Sequence, residues 1–442
     1  MFEYVKLKNF KSLGNVEFNL LDKNGVPKKL VLVYGENGIG KSNLASSFFM
    51  LSETLRTMDV RDIMQSILSE TPERMSNENF SRFLKMRYKD IETLIKENKT
   101  VNSEDSMILE FGFRINGKSG KYIIETNDYQ IIHEHLEFTL LRNRGVYFDI
   151  SPEKITINPK IFYDKSAYQE IKSSCVKFWG KHSLLSILLH ESDDKADEYI
   201  SEQISENFDC ILEFLSRISC KIKFGSRQER SIIGLPPEIF AEFDNGEIEI
   251  DKEFQLDQTE KMLNKFFKLT YRDIERAYYK RTKEENVIHY QLMLTKNISG
   301  KRREIDFSLE STGTQSLIQL LPFMLVVVKG SVTIIDEFDT GIHDLLVQNL
   351  VTSLFNELEG QLIMTTHNTL LMESKSIPKE CIYVINELNN EYKEIQCITH
   401  YDSKIHQNTN IRDQYMLGKY MGIPEISHIN FSDLLDSLTT KS

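Results

Sequence analysis

One stretch constrains this chain more than any other: Gly35-Glu36-Asn37-Gly38-Ile39-Gly40-Lys41-Ser42 satisfies the pattern G-x-x-x-x-G-K-[ST] at every required position. Such a loop works only between a strand that delivers the chain and a helix that carries it away. In that setting the loop's backbone N–H groups and the helix N-terminus line an anion-binding concavity. Both flanks are present. Leu30-Val31-Leu32-Val33-Tyr34 is an apolar run that predicts a buried parallel strand, and Asn43 to Thr57 predicts a helix. Lys41 is then placed to reach the β- and γ-phosphates of a nucleoside triphosphate, and the Ser42 hydroxyl to ligate Mg²⁺. Gly35, Asn37, Gly38, Gly40 and Asn43 complete the candidate nucleotide-binding set. A glycine-rich turn without a ligand is the plain alternative, and the full pattern in this context weighs against it.

The rest of the composition narrows the class. A length of 442 residues suits two or three domains, and a formal charge of −12 excludes a surface that is globally attractive to nucleic acid, though not local basic patches. The longest apolar run, Leu317 to Val328, falls short of the ~18 residues of a membrane span and carries Gln319 and Pro322. The start, Met1 to Lys6, alternates like a strand and lacks a signal-peptide layout, so a cytoplasmic protein without membrane contact is expected. Five scattered cysteines form no C-x-x-C pair and predict free, mostly buried thiols.

Taken in order, residues 2–20 predict two short strands leading into the phosphate-loop strand. Residues 58–105 are polar and helical, as expected of a surface insert. Met107 to Leu141 alternates with period two, with a turn at Asn116-Gly117, and predicts an antiparallel lobe that the chain leaves between Pro152 and Pro159. A helix-rich insertion is expected over 156–286. Its strongest helix runs from Ala196 to Ile218, with Ile200, Ile204, Phe208, Ile211, Leu215 and Ile218 on one face. The basic run Arg272, Arg276, Lys280, Arg281 and Lys283 around Tyr278 and Tyr279 reads as a solvated helical face or as a nucleic-acid patch, and Lys301 to Arg303 forms a second cluster. The division is therefore 1–155, 156–286 and 287–442, with the first and last parts folding together.

Three later segments choose the class of nucleotide-binding protein. Val332-Thr333-Ile334-Ile335-Asp336-Glu337 is an apolar strand ending in paired carboxylates, with Asp336 placed to hold Mg²⁺ and Glu337 to polarise an attacking water. Such strands are common by themselves; beside a phosphate loop this one reads as a Walker B segment. Glu310-Ser311-Thr312-Gly313-Thr314-Gln315 opens a helix, where free N–H groups and the helix dipole favour an anion. Gln361 to Asn368 is a further strand ending in His367.

In this order the segments resemble the ABC-type ATPases. Ser311 and Gly313 match the signature L-S-G-G-Q, with Thr312 in place of its first glycine, and His367 matches the switch histidine. Phe338 to Asp344 resembles the D-loop. More narrowly, Asn9-Phe10-Lys11-Ser12, the phosphate loop G-E-N-G-x-G-K-S, the run D-E-F-D-x-G-x-H and the tail Asn410 to Pro424 resemble the OLD and RecF-like group, often labelled AAA-15 or AAA-21. Gln65 and Gln130 are the nearest counterparts of the group's Q-loop glutamine, and neither has the expected surroundings.

The resemblance implies an α/β ABC-type P-loop head, a mixed sheet with an antiparallel lobe and a helical insertion. It also implies a head-to-tail pair in which Ser311 and Gly313 of one copy cover ATP held by Lys41, Ser42 and Asp336 of another, with Glu337 and His367 catalytic. Stand-alone members resemble the regulatory subunits of antiphage systems such as PARIS and Septu, which act through a separate nuclease or toxin. A RecF- or SMC-like DNA-binding ATPase is the main alternative, and a transporter subunit a third.

Overall fold

The computed structural model describes residues 1–70, 88–140, 142–194, 203–224, 228–234, 240, 242–388, 392–401, 409–424 and 428–439. The chain is a mixed α/β protein in which these residues form three sheets. It opens with β1 (Phe2–Phe10) and β2 (Leu13–Asn19), an antiparallel hairpin. The two strands lead into β3 (Leu30–Tyr34) along the chain, as expected, but β3 belongs to a different sheet. Their partner is β4 (Met107–Ile115), which continues through β5 (Lys118–Thr126), β6 (Ile131–Thr139), β7 (Arg144–Ser151) and β8 (Lys154–Ile157) as an antiparallel sheet of order β2-β1-β4-β5-β6-β7-β8. Pro152 lies in the β7–β8 turn, so the chain leaves this sheet only after Ile157.

A second sheet carries the phosphate loop. Its strands are β9 (Ser219–Phe224), β10 (Gln228–Ile232), β15 (Val332–Ile335), β16 (Gln361–Thr365), β17 (Ile382–Leu388) and β18 (Tyr392–Cys397), in the order β10-β9-β15-β16-β3-β17-β18. The five inner strands pair in parallel, and the two edge strands fold back antiparallel. Along β3, Val31 and Val33 enter one buried cluster and Leu30, Leu32 and Tyr34 the other. Burial on both faces is why this strand reads as unbroken apolar sequence. A third sheet is built from β11 (Asn245–Glu249), β12 (Ile274–Glu284), β13 (Val287–Ile298) and β14 (Lys301–Asp306), with the helix Glu253–Thr270 packed on it.

Segment 156–286, read from sequence as a helix-rich insertion, thus supplies β9 and β10 to the phosphate-loop sheet and two strands to the third. It also holds the helices Lys165–Phe178, Leu184–Asp194 and Glu206–Ser216. The last is the C-terminal part of the helix expected from Ala196; Phe208, Ile211 and Leu215 are buried, Ile218 already leads into β9, and Ile200 lies outside the described residues. The basic run is not helical. From Arg276 on it lies in β12, where Arg281 pairs with Glu253, Asp257 and Glu260 of the facing helix and Lys283 with Glu253, and Arg272 precedes the strand. The 58–105 insert shows the helices Thr57–Glu70 and Ile91–Asn98, and residues 71–87 lie outside the described residues. The apolar run 317–328 lies within the helix Thr312–Val328, which contains Pro322, and among the described residues no helix is long and apolar enough to cross a membrane.

Helix α1 (Lys41–Thr54) fills the space between the first two sheets, where Phe48 meets Phe2 at 5.2 Å and Phe111 at 5.7 Å between ring centroids. Gln361 ties the sheets directly: its side-chain oxygen accepts from the Phe2 N–H at 2.7 Å, and its nitrogen donates to the carbonyls of Phe2 and Lys28, each at 3.0 Å. The antiparallel lobe is joined to its helices by Glu134, fully buried, which accepts from Tyr122, from the Trp179 indole and from the Leu184 N–H, each at 2.8 Å. All five cysteines are free thiols, three buried and two half-buried.

Candidate functional site

The loop after β3 turns into α1 with little room to spare. Gly40 caps the helix at φ 123, and a Cβ there would lie 2.9 Å from the Leu13 side chain, so only glycine fits. Gly38 has φ 82, with open space around it, and Asn37 beside it is exposed. Lys41 is buried and folds over the loop, its ammonium donating to the carbonyls of Gly35 at 2.8 Å and Glu36 at 2.9 Å. Burial lowers its pKa, against the pull of Asp336 and Glu337. Asn43 donates to the Ser12 hydroxyl at 2.7 Å, which fastens α1 to the β1–β2 turn.

Parallel pairing of β15 with β16, and of β16 with β3, brings the ends of these strands to the same edge as the loop. Asp336 is 3% exposed; its Oδ1 accepts from the Thr365 hydroxyl at 2.6 Å, while Oδ2 is buried with no hydrogen-bond partner. Burial raises its pKa, and the Thr365 hydrogen bond, then the nearby Ser42 hydroxyl, counter the rise. A buried carboxylate oxygen left bare costs free energy, and its position beside the Ser42 hydroxyl suits a divalent cation. The residues present therefore fit Mg²⁺, with Ser42 and Asp336 as the protein ligands.

Glu337 adopts φ 50, in the left-handed region that costs a non-glycine residue energy. Its N–H donates to the Thr365 hydroxyl at 2.7 Å, so this one threonine bonds both acidic residues. The Glu337 carboxylate accepts from the Lys223 ammonium and, at 3.1 Å, from the Thr340 hydroxyl. Burial pushes its pKa up, but the Lys223 hydrogen bond and charge prevail and hold it below the usual glutamate range. His367 follows β16; its backbone N–H donates to the Asp339 carboxylate at 3.2 Å. Desolvation, then the Lys41 charge, lowers its imidazole pKa. Lys41, Asp336, Glu337, Asp339 and His367 thus share one electrostatic field at the mouth of the loop.

Ser311 and Gly313 are elsewhere. Ser311 caps the helix Thr312–Val328, accepting from the Thr314 N–H at 3.2 Å, and is exposed. Gly313 packs on the D-loop: a Cβ there would lie 2.3 Å from the Gly341 carbonyl oxygen. Among the described residues no hydrogen bond or ion pair joins either to residues 35–43 of the same chain. Gln65 is exposed on its helix and Gln130 in the β5–β6 turn, and neither joins the cluster. Sequence reasoning missed Thr365 and Lys223, and it placed Asp339 and Thr340 in the D-loop-like segment without giving either a role at the site. The signal for Thr365 was its place at the end of a buried strand, and for Lys223 the alternation of Ser219-Cys220-Lys221-Ile222-Lys223.

Residues 221–373 match the AAA-21 family, described as "AAA domain, putative AbiEii toxin, Type IV TA system". The match runs from within β9 through the Ser311 helix and the paired acids to beyond His367. It supports an ATPase of the ABC or AAA type. Among solved structures, the chain is similar to the SMC head domain from Thermotoga maritima, at 14% identity and TM-score 0.36, over 90% of this chain and 98% of that one. It is also similar to the SMC head bound to the C-terminal winged-helix domain of ScpA, at 14% identity and TM-score 0.42, over 89% and 97% of the two chains. No curated protein matches the sequence.

Proposed function

We propose that this chain binds MgATP at Gly35–Asn43, hydrolyses it, and uses the cycle to join and release two copies of itself, thereby controlling a separate effector such as a nuclease or toxin. The observation that carries the reading is the bare, buried Oδ2 of Asp336 set among Ser42, Lys41 and Glu337. When bound, Mg²⁺ would neutralise charge on the phosphates, held by Ser42 and Asp336. The chain's own groups do the rest. Lys41 exchanges its two loop carbonyls for phosphate oxygens, Glu337 accepts a proton from water, and a neutral His367 orients the terminal phosphate.

Pairing of copies is supported by the signature segment, whose exposed Ser311 makes no bond to its own loop and is free to meet another's. The family description, a toxin of a toxin–antitoxin system, is in keeping with a partner-controlled defence role. In the basic run Arg281 and Lys283 are engaged by acidic side chains, whereas Arg276 and Lys280 are exposed; DNA affinity lost on charge reversal at these two would favour the DNA-binding alternative. The test is ATP turnover and mass in solution. Lys41→Ala is expected to lose ATP binding, and Glu337→Gln to bind ATP, stop turnover and hold a dimer in light scattering. Unchanged turnover in Glu337→Gln would overturn the catalytic assignment.

A further inference from the structure

We propose that His133, His135 and Asp149 form a binding site for a zinc-type divalent ion on the outer face of the antiparallel sheet, independent of the nucleotide site. The strand periodicity makes the site. His133 and His135 lie two apart on β6 and so share one face, while Glu134 and Leu136 between and beyond them point into the core. Asp149 stands directly across from His135 on β7. The three ligand atoms all lie within 4.8 Å of one another, and each side chain is partly open to solvent.

The two imidazoles converge on one oxygen: Asp149 Oδ1 is 2.9 Å from His133 Nε2 and 2.9 Å from His135 Nδ1. Zinc sits about 2.0–2.2 Å from nitrogen and carboxylate oxygen, which puts tetrahedral ligands on the order of 3.4 Å apart. Small rotations of side chains already converging reach that spacing.

The far nitrogens distinguish this from a chance cluster. His135 Nε2 is 2.9 Å from Glu137 Oε1, and His133 Nδ1 is 4.0 Å from Glu125 Oε2. A histidine that binds a metal through one nitrogen commonly gives its remaining N–H to a carboxylate, which fixes the tautomer and orients the ring. Here His135 has such a carboxylate within hydrogen-bond distance on the nitrogen away from the convergence point, and His133 has Glu125 nearby on its own far side, beyond hydrogen-bond distance. Glu137 is itself held by Lys121 at 3.3 Å and Arg144 at 3.0 Å. Two imidazole nitrogens and one carboxylate suit zinc and its neighbours in the first transition row, whereas Mg²⁺ and Ca²⁺ prefer all-oxygen sets. Three protein ligands leave a fourth position for water or a group from another molecule.

The experiment is zinc titration of the full chain, stripped with chelator and returned to millimolar Mg²⁺, followed by calorimetry and by the visible absorption of Co²⁺ as substitute. Wild type is expected to take up one more zinc per chain than the His133→Gln/His135→Gln double variant, and the same difference is expected for Asp149→Asn. Glu137→Gln should keep the stoichiometry and bind about 10–100-fold more weakly, as second-sphere carboxylate losses do. Equal zinc uptake by wild type and the double variant, with both folded by circular dichroism, would overturn the site. So would a Co²⁺ spectrum unchanged by Asp149→Asn.

Discussion

Thr365 is the residue on which the acidic pair depends. Its hydroxyl donates to Asp336 Oδ1 and accepts from the Glu337 N–H, so one oxygen fixes the direction of the first carboxylate and the left-handed backbone of the second. Thr365→Val keeps the shape and removes both bonds. Turnover is expected to fall at least about tenfold, with ATP still bound, and stability by about 1–3 kcal/mol for the groups left unpaired; steady-state kinetics and thermal melts check this. Lys223 acts on the same glutamate through charge. Because it holds the Glu337 pKa below its ordinary value, Lys223→Gln should let that pKa rise. A base with a raised pKa protonates sooner on acidification, so the acid limb of the pH–rate profile should move to higher pH; an unmoved limb would remove Lys223 from the chemistry.

At the scale of elements, the antiparallel lobe is fastened by one buried carboxylate. Burial drives the Glu134 pKa up, and bonds from the Leu184 N–H, Tyr122 and Trp179 offset part of that. Glu134→Ala would strand the buried Tyr122 and Leu184 donors and the half-buried Trp179 indole, and a loss of about 3 kcal/mol is expected, with a change in the fluorescence of Trp179, the chain's single tryptophan, marking where the packing opens. The elements that could be read from sequence were those with one dominant period. Strand β3 and the strand before Asp336 are buried on both faces and read as apolar runs, and the antiparallel lobe alternates cleanly. Strand β12 was hidden, because basic residues stand on both of its faces: Arg276 and Lys280 are exposed, while Arg281, on the face of Ala277 and Tyr279, is matched by acids on the helix Glu253–Thr270, a pairing no local window contains. Strand β9 was hidden because Lys221 and Lys223 interrupt its apolar residues, although it lies against the Asp336 strand and delivers Lys223.

For the whole molecule, the legible part of the site was the set of backbone-demanding motifs; the illegible part was the web of side chains from distant strands that aims them. Ser311 tests the assembly. Ser311→Arg places bulk and charge at an exposed helix cap and costs about 1 kcal/mol of capping energy. ATP binding by single copies should survive, whereas ATP-dependent pairing and turnover should both be lost, as read by light scattering and phosphate release. Turnover that persisted without pairing would locate the complete site within one chain.

The strand order also sets a clock. Leu30 in β3 pairs with Leu362 in β16, roughly 330 residues later in the chain, and β17 on the other side comes later still. At about 5–20 residues per second of synthesis, the phosphate-loop strand waits roughly 15 to 70 seconds for either neighbour. A half-made chain holds Lys41 and Ser42 but neither Asp336 nor His367. On the proposed function, ATP turnover would therefore have to wait until β15 and β16 have been made, long after the phosphate loop itself.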